Sequence, residues 1–364
     1  MVAFTARIKK IQAIMKAQGT DYLVLAPTSN LVYLTGLKTT ADERLQVFLV
    51  PAEGKSVMIL PEMYREVAEN LEKNSFELLT WADGTDPADL LLPLINKHSA
   101  IAAVDERMWA GHFLSLKKAF PGYDFIGASG LMRQVRMLKD KNEISLLEKA
   151  GGLTDNVMGE VLMVIQPGIS EKELAFFVEN KLKEYGAEDL SFKPIVASGP
   201  NTSSPHHNTG ERKIMLGDLV VLDFGGLFQG YCSDMTRTFS MGKATKEVKK
   251  VYNAVKEANE AAFRAVQEGT SCEKVDEAAR KAIARAGYAQ YFVHRTGHGI
   301  GLDIHEDPFI VFGNQETLKT GMTFSIEPGI YLPGQYGVRI EDIVGLSDKG
   351  PVRFNNFSRE LIEA

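Results

Sequence analysis

The chain has 364 residues, of which 45% are hydrophobic and 24% charged, a composition typical of a globular protein with two domains. Its formal net charge of −6 predicts no basic surface for nucleic acid, and no apolar run approaches the about 20 residues that span a bilayer. No apolar core of a secretory signal is visible at the N-terminus. We therefore expect a cytoplasmic protein whose two cysteines, Cys232 and Cys272, are reduced thiols.

The N-terminal part alternates short apolar runs with amphipathic stretches, which is typical of an α/β domain. The runs predicted as strands are DYLVLAP (21–27), LQVFLVP (45–51), SVMILP (56–61) and AIAAVDE (100–106), and the clearest amphipathic stretch is 61–74. A charged segment and a long helical pattern follow, so the boundary is predicted near 126–140. The expected domains are 1–130 and 131–364.

The second domain contains a weak internal repeat. Gln, Gly and Ser recur with the same spacing in VIQPGISEKEL (164–174) and AVQEGTSCEKV (265–275), where Ser170 and Ser271 can each cap a helix. The same order of glycine, strand and acid is found in GDLVVLD (217–223) and GMTFSIE (321–327). Although Q-x-G-x-S alone is a common helix start, both matches together predict an α+β domain made of two related halves.

Each half places an acid at the end of a strand. Residues 219–239 read as a hairpin, and a tip at Phe228 and Gln229 would set Asp223 directly opposite Asp234. Like charges so placed repel unless a cation lies between them or water solvates an exposed pair. Since the flanking residues are apolar, a bound cation is the favoured interpretation.

The second half repeats this arrangement with Glu327 and Glu341, which can meet across another hairpin. If the halves face each other, four carboxylates converge, and two divalent metal ions would compensate their charge. His298 is the candidate nitrogen ligand, although a lone histidine is more often structural. Oxygen ligands with one imidazole suit Mn²⁺ or Co²⁺, while Zn²⁺ and Fe²⁺ remain alternatives.

These residues resemble the five ligands of the dinuclear pita-bread metallopeptidases, in order and in context. The motifs that carry the resemblance are LDFGGLFQGYCSDMTRT, HRTGHGIGLDIHE, SIEPGIY and GVRIED. The segment SNLVYLTGL (29–37) is similar to the extra N-terminal domain of the aminopeptidase P, prolidase and creatinase group. Plain methionine aminopeptidases lack this domain and creatinases lack the ligand set, so both are disfavoured. The ending SIEPGIYLPGQYGVRIED and the tail FSRELIE resemble most the bacterial Xaa-Pro dipeptidases, which are therefore the favoured group.

The resemblance implies roles for further residues. His206 matches a histidine near the scissile bond, His305 one that steadies the tetrahedral intermediate, and His294 a pocket histidine behind the ligands. Arg339 matches an arginine beside the last ligand, where it could also pair with Glu341. His206, His294 and His305 could instead be loop, packing or surface histidines. Glu327 is expected to be both a metal ligand and the proton shuttle.

The expected reaction is hydrolysis of the bond before proline in Xaa-Pro dipeptides by a metal-bridged hydroxide. Several prolidases hold the free carboxylate of the substrate with an arginine at a position where this chain has Phe309. His206, His294, Arg295, Arg339 or a partner's basic group such as Lys38 or Arg44 could replace it; otherwise the enzyme would act as an Xaa-Pro aminopeptidase on longer peptides. A non-catalytic binding module is disfavoured because all five ligands are present.

The resemblance also implies a homodimer in which the N-terminal domain of one chain approaches the active site of its partner. The polar stretch GLKTTADERLQ (36–46) is the candidate contact. The expected small-molecule partner is a proline-containing peptide.

Overall fold

The computed structural model of the chain describes residues 4–69, 71, 76–95 and 97–364. The chain forms two compact units, Met1–Arg136 and Met137–Ala364. In the described residues, no helix is both long enough and apolar enough to cross a membrane.

The first unit is an α/β domain built on one mixed sheet of six strands in the order β4-β3-β2-β1-β5-β6. Its strands are β1 Tyr22–Leu25, β2 Val47–Pro51, β3 Val57–Pro61, β4 Glu77–Trp81, β5 Ala100–Val104 and β6 Tyr123–Gly127. Its helices are α1 Phe4–Gln18, α2 Ser29–Thr35, α3 Arg65–Glu69, α4 Ala88–Leu91, α5 Ala110–Ala119 and α6 Ser129–Arg136. Strands β1, β2, β3 and β5 confirm the four apolar runs.

Two strands were missed by the sequence analysis, and both lie at the edges of this sheet. Strand β4 is only half-buried, and β6 is largely exposed, so neither has the continuous apolar pattern of the inner strands. Only five residues of the amphipathic stretch 61–74 form the α-helix α3, and residues 70 and 72–74 of that stretch lie outside the described part.

The second unit is the pita-bread domain, with four helices and several small sheets. The helices are α7 Lys141–Val164, α8 Glu171–Glu184, α9 Lys246–Ala265 and α10 Cys272–Arg285. The strands are β7 Asp189–Leu190, β8 Ile195–Ser198, β9 Leu219–Phe224, β10 Gly226–Phe228, β11 Tyr231–Cys232, β12 Met235–Ser240, β13 Gly297–Gly299, β14 Glu306–Ile310, β15 Thr323–Ile326, β16 Gly329–Leu332, β17 Tyr336–Arg339, β18 Asp342–Ser347, β19 Gly350–Arg353 and β20 Ile362–Glu363. The two main sheets have the orders β20-β12-β9-β8 and β14-β13-β15-β18-β19.

The predicted internal repeat is present in this unit. Ser170 begins α8 with a capping box, as predicted. Ser271 is the N-cap residue of α10 in the same extended conformation, but its side chain makes no capping hydrogen bond, so that half of the prediction is wrong. Gly217 and Gly321, which precede β9 and β15, both have a positive φ, of 90° and 95°. Strand β8 pairs with β9 as β13 pairs with β15, so each half contributes an equivalent inner strand pair.

Arg237 ties the inner strands of the two halves together, a role that the sequence analysis did not foresee. Its guanidinium is 1% exposed and donates to Oδ1 of Asp342 and to the carbonyl oxygen of Glu341, both at 2.6 Å. It also donates to the carbonyl oxygens of Phe357 and Ser358 at 2.9 Å. One side chain of β12 thereby fixes the start of β18 and the C-terminal tail.

We expect Arg237→Met to lower the free energy of unfolding by about 3–5 kcal/mol, because it breaks a buried ion pair and leaves carbonyl groups unsatisfied. The matched control is Arg264→Met, since the Arg264–Glu257 pair has both side chains about 60% exposed and should contribute about 0–1 kcal/mol. Urea denaturation of both variants measures this difference. Equal stabilities would contradict the assigned role of Arg237.

Candidate active site

Asp223 and Asp234 lie on the hairpin formed by β9 and β12, but they do not face each other directly. Asp223 pairs with Thr236, and Asp234 lies just before the first residue of β12. The predicted direct opposition of the two aspartates is therefore wrong by two positions. Both carboxylates still line the same cavity, because Asp234 lies on the β12 side of the hairpin, diagonally across from Asp223.

The turn of this hairpin explains the shift. Phe228 pairs with Tyr231, so the turn residues are Gln229 and Gly230 and not Phe228 and Gln229. Both turn residues have a positive φ, of 49° and 86°, as a two-residue turn between twisted strands requires. Glycine favours this conformation and glutamine does not, so the residue types alone are a weak signal for the position of the turn.

Glu327 and Glu341 lie directly across the second hairpin, as predicted. Ile326 pairs with Asp342, and Gly329 pairs with Arg339. The two glutamates occupy the equivalent positions between these pairs, where β15 ends and β18 begins. The backbone N–H of Glu341 donates to the carbonyl oxygen of Thr236 at 3.1 Å, which connects this pair to the hairpin of the first half.

His298 is the middle residue of β13 and points its Nε2 atom toward the acids. The distances from Nε2 are 3.4 Å to Oε1 of Glu327 and 3.6 Å to Oδ2 of Asp234. Its Nδ1 lies 3.1 Å from the carbonyl oxygen of Gly299, which can only accept, so Nδ1 carries the proton. Burial lowers the pKa of His298 to about 3, and the neutral ring presents an unprotonated Nε2.

The neighbouring backbone leaves no room for a side chain at the two glycines beside His298. A Cβ atom on Gly297 would lie 1.8 Å from the carbonyl oxygen of Ser325, and one on Gly299 would lie 2.3 Å from that of Asp307. These glycines allow β13 to approach its neighbours.

Arg339 supplies a positive charge inside the cluster through Asp223. Its Nη2 donates to Oδ2 of Asp223 at 2.6 Å, and its Nη1 to the hydroxyl oxygen of Tyr331 at 2.9 Å. The alternative pairing of Arg339 with Glu341 is not observed. Glu341 instead accepts from the Thr236 hydroxyl at 2.6 Å.

The remaining carboxylates carry more negative charge than one arginine can compensate. Burial, together with Glu341, Asp223 and Glu327, raises the pKa of Asp234 well above its usual range. Burial and the neighbouring acids likewise raise the pKa of Glu341. Burial raises the pKa of Glu327 to about 7. The cluster must therefore hold either protons or cations.

The donor set fits metal ions. Asp234, His298 and Glu341 each offer one ligand atom, and these three atoms lie within 4.8 Å of one another. Oδ1 of Asp223 and Oδ1 of Asp234 are buried and have no hydrogen-bond partner. Buried carboxylate oxygens without a donor are costly in a protein interior, and coordination of a cation would satisfy them.

The three further histidines predicted at the site all line the same cavity, whose volume is about 620 Å³. The His305 ring packs edge-on against His298 at a centroid distance of 4.2 Å, and burial lowers its pKa. Nε2 of His294 lies 2.9 Å from the Tyr331 hydroxyl, and burial lowers the pKa of His294 to about 4. His206 is exposed at the cavity wall.

Phe309 is the one predicted site residue that does not line this cavity. It lies half-buried in β14, and its ring packs against the Arg295 guanidinium, whose Cζ is 4.7 Å from the ring centroid. The cavity is therefore contacted by Arg295 and not by Phe309. Its apolar lining residues are Phe192, Ile195, Pro205 and Ile304.

Glu171, a residue that the sequence analysis overlooked, anchors the loop that carries His206. The fully buried carboxylate accepts from the N–H and hydroxyl of Ser198 at 2.8 Å and from the Asn201 amide at 2.9 Å. It also lies 2.8 Å from Nε2 of His207. Glu171 directly follows the helix cap Ser170, where an acid is expected for helix stability alone, so nothing in the local pattern distinguishes it.

Comparison with known proteins agrees with this geometry. Residues 145–348 match metallopeptidase family M24, and residues 7–138 match the creatinase/prolidase N-terminal domain. A probable dipeptidase PepE of Mycobacterium bovis is 40% identical over 364 residues, which cover 99% of this chain and 96% of that protein. A prolidase from Thermococcus sibiricus is 43% identical with a TM-score of 0.95 and full coverage of both chains. An Xaa-Pro dipeptidase from Bacillus anthracis is 31% identical with a TM-score of 0.92, again over both full chains.

Proposed function

Because this chain belongs to metallopeptidase family M24, we propose that it hydrolyses the peptide bond before proline in Xaa-Pro dipeptides. The observation that carries the proposal is the convergence of four carboxylates and an unprotonated histidine nitrogen in one cavity. The similarity to a prolidase and to an Xaa-Pro dipeptidase supports the choice of substrate.

We propose that two divalent metal ions are held by the four acids and the histidine of this cluster. Mn²⁺ and Co²⁺ suit a set of oxygen ligands with one imidazole, and Zn²⁺ and Fe²⁺ are alternatives. Bound ions of this kind would allow water to ionise near neutral pH and to attack a carbonyl group. The ligand residues are Asp223, Asp234, His298, Glu327 and Glu341.

Glu327 is proposed to move the proton from the attacking water to the leaving nitrogen. Its Oε1 lies 3.4 Å from Nε2 of His298, within the acidic cluster, where a carboxylate can accept a proton from water and release it to a leaving group. The Ser325 hydroxyl donates to Oε1 of Glu327 at 3.2 Å, and the Glu327 N–H donates to the carbonyl oxygen of Thr296 at 2.8 Å. These contacts hold the carboxylate beside His298.

His305 and His206 are proposed to contact the substrate from the open side of the cavity. His305 packs against the buried ligand His298 and has its own ring partly in solvent, so a neutral ring N–H is available for the developing oxyanion. His294 is a positioning residue, because its Nδ1 and Nε2 are occupied by the Arg295 carbonyl and the Tyr331 hydroxyl.

The apolar side of the cavity provides a surface for a proline ring. An Xaa-Pro bond has no N–H, so a substrate cannot be recognised there through an ordinary backbone hydrogen bond. The proline ring can instead pack against the apolar side chains of the cavity, which are Phe192, Ile195, Pro205 and Ile304. Recognition of the ring would then depend on packing, while the polar residues opposite bind the substrate ends.

The proposal is tested by the kcat/KM values of the metal-loaded protein for Ala-Pro, Ala-Ala and Ala-Pro-Ala. We expect Ala-Pro to be the best substrate. A value for Ala-Pro-Ala equal to or above that for Ala-Pro would make the protein an Xaa-Pro aminopeptidase. Equal values for Ala-Pro and Ala-Ala would show that the proline ring is not recognised.

Metal affinity should fall as pH decreases, because protons compete for carboxylates whose pKa values are raised. Below the Glu327 pKa of about 7, we expect the dissociation constant to rise by about tenfold per pH unit for each proton displaced. Competition with a chelator between pH 8 and pH 6 measures this. Glu327→Gln lacks this titrating group and should show a smaller dependence; an affinity of the wild type independent of pH would contradict the expectation.

We propose that the protein is a homodimer and that residues 36–46 contribute to the contact. This stretch contains no helix or strand. The Arg44 guanidinium is already bound to both oxygens of Asp83 at 2.9 and 3.0 Å, which disfavours it as a ligand for a partner's substrate. Sedimentation at decreasing concentration, with activity measured in parallel, tests the dimer; a fully active monomer would contradict it.

We propose that the protein works in the cytoplasm. Cys232 and Cys272 are both buried thiols, as expected for a reducing compartment. Burial raises the pKa of the Cys232 thiol, which keeps the group protonated and unreactive.

A further inference from the structure

Arg295 extends a guanidinium into the cavity next to the acidic cluster. Its Cζ lies 4.7 Å from the centroid of the Phe309 ring. Within the described part of the chain, no carboxylate lies within ion-pair distance of this guanidinium. A guanidinium stacked by its face on an aromatic ring keeps its in-plane N–H groups available for a carboxylate.

The backbone on both sides of Arg295 is held firmly. Arg280 donates to the carbonyl oxygen of His294 at 2.6 Å and to that of Phe292 at 3.2 Å. The buried Asp276 accepts from the Thr296 hydroxyl at 2.7 Å and from its N–H at 3.2 Å. The position of Arg295 is thus set before a substrate binds, which lowers the entropic cost of binding.

The other arginine in the cavity is already committed to protein partners. Arg339 donates to Asp223, Tyr331, Thr236 and the carbonyl oxygen of Pro205. Lys193 also lines the cavity, but it is exposed and carries a single flexible ammonium group. Of the cations that line the cavity in the described part of the chain, Arg295 is therefore the one that is held in place and has no ion-pair partner.

Arg295 shares one cavity of about 620 Å³ with the acidic cluster, because its side chain and those of the four acids line the same space. In a dipeptide the free carboxylate belongs to the residue directly after the scissile bond. A substrate that binds with this bond at the cluster therefore carries its carboxylate within the cavity that Arg295 lines.

We propose that Arg295, held by the ring of Phe309, binds the free C-terminal carboxylate of the dipeptide and so sets the preference for dipeptides over longer peptides. This assignment rests on the proposed function and adds a specificity-determining residue to it. A charge-assisted, bidentate contact would be lost for a substrate whose carboxylate is amidated or lies further along the chain.

The test compares Ala-Pro with Ala-Pro amide, which differ only in the terminal charge. In Arg295→Gln, we expect kcat/KM for Ala-Pro to fall by about 10- to 100-fold, and the value for the amide to stay within about threefold of wild type. Arg295→Lys should recover part of the preference for the acid. An unchanged acid-to-amide ratio in Arg295→Gln would overturn the assignment.

Two further variants test the support from the Phe309 ring and the competing cation Lys193. Phe309→Leu keeps an apolar side chain but removes the ring, and it should lower the acid-to-amide ratio by about 2- to 10-fold. Lys193→Gln removes the other cation and should keep the wild-type ratio. A ratio that collapses in Lys193→Gln and not in Arg295→Gln would assign the carboxylate to Lys193 instead.

Binding of free proline and prolinamide, measured by calorimetry on the metal-loaded protein, distinguishes this inference from the proposed function. If wild type does not cleave Ala-Pro, the proposed function fails, yet weaker proline binding in Arg295→Gln still supports the carboxylate site. If wild type cleaves Ala-Pro but prefers neither acid over amide nor proline over prolinamide, the role of Arg295 fails and the function stands. Failure of both assays to show any acid preference overturns the assignment.

Discussion

Asp234→Ala is expected to lose bound metal and peptidase activity together. Oδ1 of Asp234 has no hydrogen-bond partner, and Oδ2 lies 3.6 Å from Nε2 of His298. The substitution therefore removes a ligand without breaking a strong contact within the protein. Substitution of a residue that hydrogen-bonds to a metal ligand typically lowers activity by about 10- to 100-fold. We expect loss of the ligand itself to lower kcat/KM by more than this.

The same substitution should stabilise the metal-free protein. Asp234 is buried beside three other acids that raise its pKa, so its removal relieves repulsion in the absence of a cation. The melting temperature of metal-free Asp234→Ala should exceed that of metal-free wild type, and added Mn²⁺ should raise the variant less. A variant that is less stable without metal, or that keeps its activity, would contradict the assignment.

Glu327→Gln is expected to reduce kcat by about 10²- to 10⁴-fold with little change in KM. An amide keeps the size of the side chain and one coordinating oxygen, but it cannot accept and deliver a proton. Steady-state kinetics on Ala-Pro, with metal content measured on the same samples, separate proton transfer from metal loss. The comparison variant is Ser325→Ala, which removes the hydroxyl 3.2 Å from Oε1 of Glu327 but keeps a carboxylate that can accept and deliver a proton, and it should reduce kcat much less.

If Glu327→Gln instead lowers activity only in proportion to lost metal, Glu327 is a ligand and another group moves the proton. If KM rises while kcat is unchanged, the residue contributes to substrate binding in the ground state. Either outcome would contradict the proposed proton shuttle.

The sequence was sufficient for the parts of the structure that depend on periodicity and local signals. Buried strands such as β2 and β3 have continuous apolar runs, and the helix that follows Ser170 has a complete capping box. The internal repeat could be recognised because a glycine, a strand and an acid recur in the same order, and the glycines before β9 and β15 both have a positive φ in the structure. These features are determined by residues near one another in the chain.

Features that depend on long-range contacts were not predictable in this way. The hairpin register was misjudged because Gln229 adopts a conformation that its residue type does not favour. The partner of Arg339 was uncertain because Asp223 and Glu341 are both acids, and only the fold decides which one is within reach. Arg237 and Glu171 satisfy groups distant in sequence, so no local pattern indicates their roles.

Titration of the metal-free protein with Mn²⁺ shows whether the five clustered residues form a two-metal centre that peptidase activity requires. Elemental analysis and hydrolysis of Ala-Pro are followed together. We expect activity to be absent without metal and to reach its maximum at two ions per chain, with no such recovery in Asp234→Ala. Full activity in protein shown by elemental analysis to be free of metal would contradict the two-metal centre.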